Sequence, residues 1–400
     1  MNKIYLQKIN NFFKLPFFSN RKYIIAIWIL ITFISVIKQF FIDQYNNYRI
    51  FRQVYFHLID KLPLYKEYPT EYFDHNHYGP IFSFIIAPFA VLPDYLGLPF
   101  WGLFNTVVLI FAITKLPLQS QKITAILWIC LHEFLTTLLG VQFNPLMTAI
   151  ILLSFVYIEE EKDFWSAMFI VLGTFVKLYG IVGLAFFFFS KNKLKFIGSL
   201  LFWSALFFCL PMLVTSPEYI FQTYREWYLD LIAKNNENTS LNSYQDISIM
   251  GMFRRILQDP TISNLPFLIF GLVTFGLQYI KIKEYKNLYF RLMLLTSTLI
   301  FTVIFSSGSE SPTYIIAFLG IAIWFVIQHK PVAKLDLFLF VFALLLTSLS
   351  PSDLIPKILK DNYIRPFALK ALPCVLLWAR IVYQILMFKS NTQTKVVCEN

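Results

Sequence analysis

Apolar runs long enough to enter a bilayer recur from one end of this chain to the other, separated by short polar connections. A soluble globule has too little interior to bury so many of them, and an anchor attached to a soluble domain would supply one run rather than many. Composition agrees: of 400 residues, 57% are hydrophobic and 14% charged. The expectation is an all-α polytopic membrane protein forming one domain over residues 1–400. Helices are the natural spanning element because in hydrocarbon every backbone polar group must be bonded within the protein.

Crossings are expected at residues 23–41, 98–114, 122–139, 143–158, 163–176, 179–190, 196–214, 262–280, 288–305, 312–328, 335–348 and 366–388. That gives about twelve, the shorter ones being tolerated within a bundle. Residues 80–93 suit an embedded or interfacial helix better than a crossing. The basic N-terminal segment has no small-residue cleavage site, so the first run reads as a retained span.

Charge fixes the expected orientation. The net charge of +11 is dispersed in short clusters between apolar runs rather than gathered in a patch, which argues against nucleic acid as a partner. If Lys3, Lys8, Lys14, Arg21 and Lys22 are cytoplasmic, then the clusters at Lys115/Lys122, Lys162, Lys191/Lys193/Lys195, Lys281/Lys283/Lys286, Lys330/Lys334 and Lys389 fall on the same side. Both termini are then cytoplasmic, in the inner or plasma membrane of the cell. Making residues 80–93 a full crossing would invert every later cluster. Cys130, Cys209, Cys374 and Cys398 form neither a disulfide framework nor a CxxC pair.

The unusual polar residues then gather on the outer face. The first outer loop, 43–93, mixes Asp43, Asp60, Glu67, Glu71, Asp74, His57, His75 and His77 with Tyr and Phe, a composition suited to a membrane surface. The same side carries the GVQFN turn at 140–144, the break at Lys177, the long loop 215–255, and segments 306–311 and 350–365. Most such residues are simply solvated. Lys177 is harder to explain that way, because an ammonium between two half-length apolar runs is costly unless it faces a cavity or an anion. Glu133, Arg291 and Arg380 read as structural charges, the arginines near enough to the cytoplasmic ends of their spans to snorkel.

The order of these features, NYRIFRQVYFHLIDKLPLY, FDHNHYGPIFSFIIAPFAVLP, WGLFN at 101–105, GVQFN at 140–144 and the buried Lys177, resembles bacterial glycosyltransferase family 87. That group includes polyprenyl-phosphate-mannose-dependent α-1,2-mannosyltransferases with the GT-C fold. The resemblance implies a GT-C bundle whose first outer loop forms interfacial helices and carries an acidic residue that acts on the acceptor or organises the site. The family pattern has Asp where this chain has Asn47, eighteen residues before Tyr65. A neutral amide cannot take a proton from a sugar hydroxyl, so either another carboxylate serves or transfer activity has been lost. Asp74 is the preferred candidate, with Asp43 and Glu310 as the others. Glu310 stands in a Ser-Pro region where family members often have His.

Displacing a lipid phosphate from an anomeric carbon needs a base for the acceptor and cations for the departing phosphate. Lys177, Arg254, Arg255 and Lys370 are the candidate cations. Asn47, Tyr78, Gln142, Asn144 and Gln245, with its neighbour Tyr244, are candidates for holding sugar hydroxyls. No metal ligands are assigned, although the resemblance leaves room for a divalent metal. The expected reaction moves a hexose, mannose in the first instance, from a polyprenyl-phosphate carrier to a lipid-linked or envelope glycan. A secondary transporter or flippase is the first rival and would show two similar halves, which are not visible. A non-catalytic carrier- or glycan-binding relative is the second.

Overall fold

The computed structural model describes residues 16–243 and 245–389, so Lys3, Lys8, Lys14 and Tyr244 lie outside the described residues. It is 75% helix, with no strand among the described residues. The helices are α1 (Arg21–Phe41), α2 (Asn46–Ile59), α3 (Phe82–Ala90), α4 (Asp94–Thr114), α5 (Ser120–Leu139), α6 (Asn144–Glu159) and α7 (Asp163–Val176). After a 3₁₀ segment, Leu178–Phe189, come α8 (Lys193–Cys209), α9 (Pro217–Asn238), α10 (Ile249–Leu257), α11 (Leu265–Leu277), α12 (Leu288–Ile304), α13 (Tyr314–Val326), α14 (Lys334–Ala343) and α15 (Leu372–Met387).

The positions agree with the apolar runs, but the expected count of about twelve crossings is not met by helix length. Among the described residues five helical stretches are long and apolar enough to cross: Arg21–Phe41, Asp94–Thr114, Ser120–Leu139, Lys193–Leu213 and Leu369–Met387. Six more are apolar but shorter, between 10 and 17 residues. The reason is local: several runs are interrupted by 3₁₀ or π turns, as at Leu178–Phe189 and Leu344–Leu349, so apolar character extends past the regular helix.

One apolar core runs from Ile24 to Phe388. Helices α6 and α13 are buried nearly all round and α12 packs along α13, whereas α11 turns Leu265, Ile269, Phe270, Leu272 and Val273 outward. A helix apolar on every side belongs either in that core or against lipid. Three pairs of charges among the described residues are matched inside the bundle: Arg291 with Glu159 at 2.8 Å, Arg380 with Asp336 at 2.7 Å and Lys370 with Glu133 at 2.7 Å. Pairing, rather than snorkelling alone, accommodates the two arginines.

Residues 43–93 are held as α2, an irregular stretch, and the nine-residue α3, too short to cross. Residues 215–255, expected as a long loop between spans, are largely helical. Ser216 caps the Tyr219 amide and Pro217 occupies the first helical turn, starting the 22-residue α9. Its buried Ile220, Thr223, Trp227 and Asp230 recur at spacings of three and four, which lays one face onto the 43–93 segment. Tyr219 Oη donates to Leu62 O at 2.6 Å and Trp227 Nε1 to His77 O at 2.9 Å.

Candidate functional site

A hollow of about 290 Å³ lies where the 43–93 segment, the α5–α6 turn, the Lys177 break, α9 and the 306–310 connection meet. Two close backbone approaches set this junction. Gly79 N donates to Val176 O at 3.0 Å, and a Cβ on Gly79 would come 1.9 Å from Phe175 O. A Cβ on Gly180 would lie 2.2 Å from Gly173 C, so α7 can fold back on the following segment only with glycine there. Lys177, extended at φ −151°, is left at the bend.

The wall around Lys177 is a chain of amides and hydroxyls. Its Nζ donates to Asn144 Oδ1 at 3.2 Å and lies 4.8 Å from the Tyr179 ring centre and 5.9 Å from that of Tyr78. Asn144 Nδ2 reaches Gln142 Oε1 at 3.5 Å, and Gln142 Nε2 donates to Glu310 Oε2 at 3.4 Å. Val141, just before Gln142, has φ 48°, a strained value for a β-branched residue, and the strain falls where the turn aims Gln142 inward. Burial pushes the Glu310 carboxyl above the usual range, with the Lys177 charge opposing. Burial also lowers Lys177, against the pull of Glu310.

The opposite wall belongs to α9. Asp230 uses one oxygen for His75 Nε2 at 2.8 Å and the other for His77 Nδ1 at 2.9 Å. Asp74 lies beside both rings, and Lys234 Nζ is 3.7 Å from its Oδ2. Burial works against ionising Asp74, but the His75 hydrogen bond and the Lys234 and His77 charges outweigh it and hold its pKa at about 2. Hydrogen bonding to Asp230, with the Asp74 carboxylate close by, pushes His75 up to about 10.

Of the residues expected from sequence, Asp74, Glu310, Lys177, Asn47, Tyr78, Gln142 and Gln245 line this hollow. Asn144 adjoins it through Lys177. Asn47 Nδ2 donates to Gly140 O at 2.7 Å, tying α2 to the α5–α6 turn. Four expected residues lie elsewhere. Asp43 is an exposed partner of Arg49 at the α1–α2 corner. Arg254 is buried, each of its three nitrogens bonded to Ile262 O, Asp246 or Asn264, and it does not line the hollow. Arg255 and Lys370 line a neighbouring cavity of about 890 Å³. Arg255 is taken up there by the Ser243 and Gln245 carbonyls, and Lys370 by Glu133 and Ser311.

Sequence reasoning passed over Trp227, Lys234, Asn235 and Asn238, which line the hollow from α9, and Asp230 behind them. The signal was present: Trp227, Leu231, Lys234, Asn235 and Asn238 repeat at helical spacing. His75 and His77 were visible but given no role.

Apolar helices long enough to cross a bilayer, together with the family that the sequence matches, mark a multi-pass membrane protein, and the hollow gathers charged and hydrogen-bonding side chains within it. The profile of glycosyltransferase family 87 matches residues 76–307, more than half of the chain, and the chain belongs to that family. No curated protein matches it. The matched region contains Gln142, Asn144, Lys177, Asp230 and Lys234.

Proposed function

We propose that the chain transfers a hexose, mannose in the first instance, from a polyprenyl-phosphate carrier to a lipid-linked or envelope glycan at the outer face of the cell membrane, with inversion at the donor carbon. The observation that carries this reading is that Glu310 and Lys177, far apart in sequence, enter one hollow beside hydrogen-bonding amides. Glu310 takes the proton of an acceptor hydroxyl. The freed oxygen bonds to the anomeric carbon, and the bond from that carbon to the phosphate oxygen breaks with its electron pair on phosphate. Lys177 and Lys234 hold that charge, and Gln142 and Asn144 orient sugar hydroxyls. Glu310 suits the base role better than Asp74, because a carboxylate with a pKa near 2 is too weakly basic for proton abstraction.

A route for the carrier supports the same reading. A shallow apolar groove of about 360 Å³ runs between α3 and α4, lined by Phe89, Leu92, Phe100, Phe104 and Val107. Packed rings lead from it toward the hollow: Phe89 on Trp101, Trp101 on Phe82 and Phe82 on Tyr78.

The test is transfer by purified protein in liposomes, with labelled polyprenyl-phosphate hexose and a lipid glycan acceptor. Glu310→Gln is expected to reduce turnover by about 10²–10⁴, the usual worth of a general base, while Asp43→Asn stays within a few-fold of wild type. Accumulation of substrate inside the vesicles with no glycosylated product would show a transporter instead.

A further inference from the structure

We propose that Asp74, His75 and His77 form a divalent-cation site on the α9 side of the hollow, suited to Zn²⁺ or Mn²⁺. One donor atom from each residue lies within 4.8 Å of the others. Asp230 fixes both rings by taking His75 Nε2 and His77 Nδ1, which turns the remaining nitrogens away from α9. Those nitrogens, His75 Nδ1 and His77 Nε2, are inaccessible and make no hydrogen bond. They lie 3.3 and 3.9 Å from the same atom, Asp74 Oδ1. Donors placed tetrahedrally around zinc at about 2.0–2.1 Å sit about 3.3 Å apart, so His75 is already at ligand spacing from Asp74 and His77 has to move inward to close the cluster.

The surrounding chemistry is that of a ligand set rather than of a simple ion pair. A carboxylate that accepts the far N–H of a ligating histidine is the usual support for a metal-bound imidazole, and Asp230 does this for two rings at once. Two imidazoles and one carboxylate favour a borderline cation over Mg²⁺ or Ca²⁺, which prefer oxygen alone. A bound cation takes the place of the proton that Asp230 and Asp74 attract to His75. Lys234 approaches the other oxygen of Asp74, Oδ2, while Oδ1 accepts the His75 backbone N–H at 2.9 Å and keeps a second lone pair for the cluster. Asp74, held as an anion, then serves as a ligand. The site's role in holding a donor phosphate opposite Lys177 rests on the proposed transfer, but its existence does not.

The experiment uses full-length protein in detergent, stripped with chelator, desalted and titrated with ZnCl₂ alone, with bound zinc measured by mass spectrometry and calorimetry. Wild type is expected to bind one saturable equivalent and to gain thermal stability with it. His75→Ala and His77→Ala lose that equivalent, the near-isosteric Asp230→Asn weakens it about 10–100-fold, and Asp43→Asn, at the exposed α1–α2 corner, binds as wild type does. Absence of saturable binding to wild type overturns the proposal however the variants fold. So does an equivalent that persists in His75→Ala and His77→Ala, since that zinc sits elsewhere. Binding without transfer sinks the transferase reading and leaves the site, whereas transfer by chelated protein that binds no zinc does the reverse.

Discussion

Two carboxylates share one hollow at Glu310 and Asp74, and their surroundings push them in opposite directions. Burial dominates at Glu310 and raises its pKa, with Lys177, Lys234 and His77 opposing and Asp74 assisting. At Asp74 hydrogen bonding and nearby cations win. A base must be deprotonated to act, so kcat/KM is expected to fall as pH drops through the Glu310 pKa. That acid limb should lie above the value of about 4.3 typical of an exposed glutamate. Removing the opposing charge with Lys177→Met raises the Glu310 pKa further and moves the limb to higher pH. A pH profile of transfer that keeps the same limb in Lys177→Met, or in Glu310→Gln, would show that another group titrates.

At the scale of elements, the Lys177 break is a close-packed corner. Glycine at 180 lets the chain fold back against Gly173, and glycine at 79 lets the first outer loop lean on the end of α7. Gly180→Ala must push backbone apart and is expected to cost about 1–3 kcal/mol, as overpacked interiors do. It should also lower transfer by displacing Lys177. Gly198 in α8 is the control, since a Cβ there meets nothing within 4 Å. Gly198→Ala should leave stability unchanged or raise it by about 0.5–1 kcal/mol, the helix advantage of alanine. Melting curves of both variants in detergent decide the point. Helix α9 shows why composition misled at this scale: its charged, weakly apolar sequence reads as a loop, yet its buried stripe packs on the 43–93 segment.

Across the whole molecule, an apolar bundle supports a small polar site, with a greasy groove on one flank. If the groove between α3 and α4 receives the carrier, its length matters through buried area, about 0.8 kcal/mol per methylene removed from water. Cutting the carrier to two isoprene units, at fixed surface concentration in micelles, is expected to raise KM at least about tenfold by that arithmetic. The sugar is untouched, so kcat should change less. Equal KM for short and long carriers would place the tail elsewhere. The sequence by itself determined the membrane class and the helix positions, because hydropathy is a local property read along the chain. Lys177, Gln142 and Glu310 were legible as well, since each interrupts an apolar context. The tertiary structure decided which charges are free to act. Arg254 and Lys370 looked available until Asp246 and Glu133 were found against them, and His75, His77 and Asp230 had no visible relation until α9 folded over the first loop. Partnership between side chains depends on distance in space, and a bundle joins residues more than a hundred positions apart.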